Sequence, residues 1–257
     1  MALKGGFVAQ SDVDLAVSRV LRTMFKLGMF DPIEGNYYAN IPPEMVDRPE
    51  ARAQSLEAAT KGSVLLKNDG VLPLGKGKKL AFIGPLANAT QDMLSAPQYH
   101  GQNTLVNSHS PLQVAQRRGL EISYAVGCNV CDERPKGYPN FPCQIKDGDA
   151  NRSGFAAAVA AAKDADIAVL YLGNDQTTEA ENFDRYSLGL PGAQQDLLEA
   201  VAAVQDNVVI VLQNGGPIAV DWAVKSLKVR AILDAFQPGQ LGELQCPAQR
   251  RSLLPCM

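Results

Sequence analysis

Apolar residues first recur at helical spacing at Val13, Val17, Val20, Leu21 and Met24, which predicts a helix with one apolar face. Ser11 is placed to cap it, Asp12 and Asp14 sit where the helix end is positive, and Gly28 marks its close. That apolar face needs a partner surface. The periodicity then stops: Pro32, Pro42, Pro43 and Pro49, with Gly35 and Asn36, predict an extended linker. Residues 50–66 are rich in Ala, Glu, Leu and Gln and predict a second helix, which runs out near Lys67-Asn68-Asp69-Gly70.

Beyond Gly70 the pattern changes to short apolar runs at 79–83, 121–126, 165–172, 207–212 and 229–233, of strand length and enriched in Val and Ile. Helical stretches alternate with them at 111–118, 154–163, 192–204 and 217–226. Continuous rather than alternating apolar character means strands buried on both faces. The strand–helix alternation means right-handed crossovers, so the expected fold is α/β, a mainly parallel sheet with helices on both faces. No repeat of solenoid length interrupts it.

Composition narrows the partners. The 257 residues are 46% hydrophobic and 20% charged, the mark of a folded globular chain. A formal net charge of -3 supplies no basic field for nucleic acid or anionic lipid. The longest apolar runs fall well short of the about 20 residues that span a bilayer, so neither nucleic acid nor membrane is an expected partner. The N-terminal residues do not have the pattern of a secretory signal. Two glycan-acceptor triplets nevertheless occur, Asn88-Ala89-Thr90 and Asn151-Arg152-Ser153. Of the five cysteines, Cys128, Cys131 and Cys143 cluster while Cys246 and Cys256 lie near the end, which suits a local disulfide or buried thiols better than a zinc site. No metal is expected.

In an open parallel sheet the ligand sits outside the carboxyl ends of the strands. The loop 173–185 after the third of the five predicted strands stands out there, with Asp175, Glu179, Glu181, Asp184 and Arg185 inside thirteen residues. Four acids sharing a cleft push at least one toward its protonated form, and a carboxyl held protonated near neutral pH can act as a general acid. The plainer alternative is a solvated loop in which Arg185 pairs with Asp184 or Glu181. Gly70-Val71-Leu72-Pro73-Leu74-Gly75-Lys76 has the outline of a phosphate-binding loop, but Gly77 follows where Ser or Thr is needed, and the segment precedes a strand. It is a basic turn. With no Gly-x-Gly-x-x-Gly after any strand, no nucleotide or other cofactor is expected. His100 and His109 share one loop, and no Gly-x-Ser-x-Gly elbow supports a Ser-His-Asp hydrolase.

Several segments converge on one family. Glu57-Ala58-Ala59, then Val64-Leu65-Leu66-Lys67-Asn68 and Leu72-Pro73-Leu74, resembles a long signature of glycoside hydrolase family 3, whose members cleave β-linked sugars. Phe82-Ile83-Gly84-Pro85-Leu86-Ala87-Asn88 is similar to the strand and turn that follow it. Thr178-Glu179-Ala180-Glu181-Asn182-Phe183-Asp184-Arg185 and Leu190-Pro191-Gly192-Ala193-Gln194-Gln195 resemble the acidic segment of the β-xylosidase and α-arabinofuranosidase branch. Asn214-Gly215-Gly216-Pro217-Ile218 and Gln237-Pro238-Gly239-Gln240 match two later turns, and Leu27-Gly28-Met29-Phe30-Asp31-Pro32 resembles the end of the family's barrel domain.

The resemblance implies a two-domain site. A (β/α)8 barrel supplies an Asp nucleophile, and the α/β sandwich domain supplies a Glu that serves as acid and then base. Glu181 matches that Glu, with Glu179 the runner-up, and Asp184 and Arg185 would brace the loop. In a retaining glycosidase the two carboxyl groups sit about 5 Å apart, one attacking the anomeric carbon and the other protonating the leaving oxygen. The implied division is residues 1–30 as a remnant of the barrel's end, 31–49 as linker, 50–242 as a truncated sandwich domain and 243–257 as an unrelated tail. The implied partners are an oligosaccharide or aryl glycoside substrate and the missing barrel domain; substrate-binding residues stay unknown. This chain alone is expected to be inactive, and its full-length parent is expected to be extracellular or to pass through a secretory pathway. The alternative is a carbohydrate- or partner-binding sandwich module without catalysis.

Overall fold

A computed structural model describes residues 2–90, 109–130, 151–179, 184–185 and 187–239. The chain divides into two compact units, Met1–Pro49 and Glu50–Met257.

In the first unit helix α1 spans Gln10–Lys26. Its cap differs from the expected one. Ala9 is the N-cap residue and Ser11 lies inside the helix; the Asp12 carboxylate accepts the Ala9 N–H at 2.9 Å, so an acid in the first turn does the work assigned to the hydroxyl. Gly28, at φ +67°, does end the helix, and Met29 N–H returns to the Met24 carbonyl at 3.1 Å. No residue of α1 is buried, and Val17, Val20 and Leu21 of the apolar face are exposed. The proline-rich stretch expected to be extended forms three short 3₁₀ turns, Ile33–Gly35, Tyr37–Asn40 and Pro43–Met45. Asn36 starts the second of these by accepting the Tyr38 and Ala39 N–H groups.

Helix α2, Pro49–Gly62, belongs to the second unit in all but its first residue and is followed by β1, Val64–Asn68. The single helix expected over 50–66 is therefore wrong at its end. Val64 and Leu65 pair antiparallel with Asp234 and Leu233, and these β-branched and aliphatic residues are drawn into the sheet edge. The rest follows the expected alternation: β2 Leu80–Ile83, α3 Pro111–Arg117, β3 Ile122–Ala125, α4 Phe155–Lys163, β4 Ile167–Gly173, α5 Gln194–Ala202, β5 Val208–Gln213, α6 Asp221–Lys225 and β6 Val229–Asp234. The strands form one sheet in the order β1-β6-β5-β4-β2-β3, parallel except for β1.

Successive residues of each central strand feed opposite faces. Leu170, Leu172, Ile210, Leu212 and Ile232 pack on one side with Leu197, Leu198 and Val201 of α5 and Ala158 and Ala162 of α4. Val169, Tyr171, Val209, Val211 and Leu233 pack on the other with Leu86 and with Leu112 and Ala115 of α3. Every residue of β4 and β5 is buried, which is why both read as unbroken apolar runs. Ser110 caps α3 by accepting the Gln113 N–H at 3.2 Å while the Gln113 side chain accepts the Ser110 N–H at 3.1 Å.

The central strands approach each other too closely for ordinary side chains at their ends. A β-carbon on Gly173, whose φ is +149°, would lie 1.8 Å from the Gln213 carbonyl oxygen. Gly173→Ala is therefore expected to destabilise the second unit by about 3 kcal/mol or more, at the severe end for single substitutions. The urea midpoint of the purified chain measures it, with Gly75→Ala, where the nearest atoms lie 3.9 Å away, as the near-neutral control.

Candidate active site

Three strands, β4, β5 and β6, end side by side at Gly173, Gln213 and Asp234. Gln194, fully buried at the start of α5, grips the first of these ends. Its amide accepts the Gly173 N–H and donates to the Gly173 carbonyl, both at 2.8 Å. The loop leaving β4 thus begins from a fixed point. Asn174 continues the ladder by donating its N–H to the Gln213 carbonyl at 3.0 Å, and its side-chain oxygen accepts the Gly215 N–H at 3.0 Å. Asp175 then folds the loop on itself: its carboxylate accepts the Thr177 N–H at 2.8 Å, and its carbonyl accepts the Thr178 and Glu179 N–H groups.

Glu179 crosses to the neighbouring turn. One carboxylate oxygen accepts the Gly216 N–H at 2.7 Å and the other accepts from Arg185 Nε. Arg185 Nη2 donates onward to the Pro217 carbonyl at 2.8 Å. The side chains are 23% and 11% exposed, so the pair is sheltered and both oxygens of Glu179 are engaged. The side chains of the clasp close tightly over the glycines. A β-carbon on Gly216 would lie 3.0 Å from Arg185 Nη2 and 3.1 Å from the Glu179 carboxylate, and one on Gly215 would lie 3.0 Å from that carboxylate. Asn214 braces the turn from within, donating to the Gly216 carbonyl at 2.9 Å.

The three described acids of the loop have separate roles. Asp175 closes a local turn, Glu179 holds the Gly215–Pro217 turn, and Asp184 is exposed. The partner expected for Arg185 was Asp184 or Glu181; it is Glu179. Glu181 lies outside the described residues, as does His100. His109 is described and its Nδ1 is buried without a hydrogen-bond partner. Cys128 is buried, and the other four cysteines lie outside the described residues. Among the described residues no three His, Cys, Asp or Glu side chains converge as a metal ion requires, and no helix is long and apolar enough to cross a membrane. The 70–76 turn runs between β1 and β2 and opens no helix.

Sequence reasoning missed the roles of Asn174, Asn214 and Gln194. Asn174 Nδ2, Asn214 Oδ1 and Arg185 Nη1 are buried with no hydrogen-bond partner, which concentrates unmet polarity at this end of the sheet. Asp234 adds to it: burial pushes its carboxyl above the usual range, against the lowering effect of the Phe236 N–H and the Asn214 amide.

Comparison with known proteins places this geometry. Residues 63–245 match the glycosyl hydrolase family 3 C-terminal domain. The chain belongs to glycoside hydrolase family 3. It is 39% identical over 245 residues to beta-D-xylosidase 1 of Arabidopsis thaliana, covering 94% of this chain and 29% of that protein. A solved family 3 exo-beta-xylosidase, in complex with a xylobiose aziridine activity-based probe, superposes with a TM-score of 0.79 at 31% identity, over 95% of this chain and 29% of the other. The family 3 beta-glucosidase of Bifidobacterium adolescentis gives 0.67 at 29% identity, over 95% and 32%. The chain thus spans about a third or less of the length of these family 3 relatives.

Two measurements test the clasp. Removing one member of the Glu179–Arg185 pair leaves a sheltered charge without its partner, so Arg185→Ala and Glu179→Gln are each expected to cost about 1–3 kcal/mol, below the range for fully buried pairs. The double variant should cost less than the sum, as a double-mutant cycle in urea will read. For Asp234 the sign is fixed by its raised folded-state value: the fold loses stability as pH rises through that value, because the charged form is disfavoured in the fold. Asp234→Asn should remove that loss and flatten the stability profile across the acid range; an unchanged profile counts against it.

Proposed function

We propose that this chain is the sandwich domain of a retaining β-glycosidase and that Glu181 is its acid/base residue, acting with a nucleophilic carboxylate supplied by a barrel domain. The observation that carries this choice is the state of Glu179. A proton donor must present a carboxyl oxygen to the leaving oxygen of the substrate, and both oxygens of Glu179 are already bound, one to Gly216 and one to Arg185. Asp175 is turned into its own loop. Of the two glutamates matched to the family's acidic segment, Glu181 is left, two residues from one anchor of the clasp and four from the other.

The substrate class we propose is a short β-linked xylo-oligosaccharide or an aryl β-xyloside, supported by the xylosidase identity of the Arabidopsis relative and of the solved neighbour. Protonation matters most for a poor leaving group such as a sugar hydroxyl, and least for an activated phenol. Because one carboxylate of the pair comes from outside this chain, the chain alone turns over neither.

The test supplies the chain with a family 3 barrel in one polypeptide and compares Glu181→Gln with the parent. Turnover of xylobiose is expected to fall about 10²- to 10⁴-fold, the usual span for a general acid. Activated aryl xylosides should lose far less, and added azide should restore part of their turnover. Full activity in Glu181→Gln sinks the assignment. Sugar binding that survives without any hydrolysis by the parent polypeptide would favour a binding module instead.

A further inference from the structure

The two acceptor triplets in the sequence meet different fates in the fold. Asn151, Arg152 and Ser153 are all exposed. Asn151 Oδ1 accepts the Ser153 N–H at 2.9 Å, which sets the triplet as a tight surface turn ahead of α4. Arg152 Nε reaches Asp196 at 3.0 Å in the first turn of α5, and this tether leaves the turn on the surface. In Asn88-Ala89-Thr90, by contrast, Ala89 is 7% exposed and packs in the core, and Thr90 is half-buried. The Asn88 side-chain oxygen accepts from Ser110 Oγ at 2.6 Å, and Ser110 is fully buried as the cap of α3.

We propose that Asn151 is an N-glycan acceptor site of this chain. The transferase needs the acceptor amide and the hydroxyl two residues on, and the 151–153 triplet, exposed at all three residues, is the one of the two around which the chain folds with a glycan attached and no core residue displaced. The co-reactant is a polyprenyl-diphosphate-linked oligosaccharide. The Asn151 Nδ2–C1 bond forms, the C1–oxygen bond to the diphosphate breaks with its electron pair leaving on the diphosphate, and the amide gives up one proton. The position also suits a bulky hydrophilic substituent. Gly154 packs on Gly127 just past the end of β3, the outer strand of the sheet, where a β-carbon on Gly154 would lie 2.4 Å from the Gly127 carbonyl oxygen. The inference does not depend on the hydrolase reading.

The full chain, placed behind a secretory leader and given a control acceptor triplet at its far end, is expressed in eukaryotic cells and in parallel translated into microsomes. Peptide mapping after amidase release of N-glycans reads each asparagine. The expected result is a glycan on Asn151, lost in Asn151→Gln and in Ser153→Ala, kept in Ser153→Thr and kept in Asn88→Gln. Microsomes cover the case in which a variant fails to leave the cell. An unmodified Asn151 in chains whose control triplet carries sugar, or modification of Asn88 alone, overturns the proposal.

Discussion

Where β4 ends, the carbonyl of Gln213 occupies the space a β-carbon would need, 1.8 Å from where it would stand on Gly173. That close approach of two parallel strands governs the rest of the second unit. It permits the Asn174 N–H to extend the ladder by one residue, and it leaves both polar groups of Gly173 for the buried amide of Gln194. Gln194 in turn fixes the start of α5, whose Leu197, Leu198 and Val201 fill one face of the core. Parallel strands cannot be joined by tight turns, so each needs a crossover. The polar loops then gather at one end of the sheet, where an apolar core stops and side chains such as Asn174, Glu179 and Asn214 can meet.

The charge distribution at that end follows from burial. Ionised carboxylates crowded into one sheltered cleft would repel each other, and the fold gives the three described ones separate surroundings instead. Asp175 satisfies N–H groups of its own turn, Asp184 stays in solvent, and Glu179 takes the only cation of the loop. A partly buried ion pair gives little net stability over an apolar pair of the same shape. Its value here is positional, since Gly216 N–H and the Pro217 carbonyl complete the hydrogen bonding and tie residues that are 37 and 32 positions apart in sequence.

The central architecture was legible because strands buried on both faces carry continuous apolar runs, and β4, β5 and β6 begin or end within two residues of where those runs place them. β1 was not. It is an edge strand whose residues are mostly exposed, and Gly62-Ser63, where α2 ends, is the one local signal that separates Val64-Leu65-Leu66 from the helix formers before it. Pairing with β6, more than 160 residues on, decides it. The clasp was half legible. The Asn214-Gly215-Gly216-Pro217 turn and the acidic loop were both visible as motifs, but that Glu179 meets Arg185 beside that turn depends on how two distant loops face each other.

The division of labour proposed for the neighbouring glutamates bears on how a site split between two domains can work. A reacting pair of carboxyl groups must be held about 5 Å apart, and displacement by about 1 Å can cost a hundredfold in rate. A donor hung on a long free loop would sample far wider positions than that. With Glu179 and Arg185 both fastened to the Gly215–Pro217 turn, only the five residues 180–184 lie between fixed posts, and the posts themselves are set by strand ends of the buried sheet. The acid that fastens the loop and the acid proposed to move a proton must then be different residues. A carboxylate whose two oxygens are taken by a backbone N–H and a guanidinium has neither oxygen free to face a leaving group.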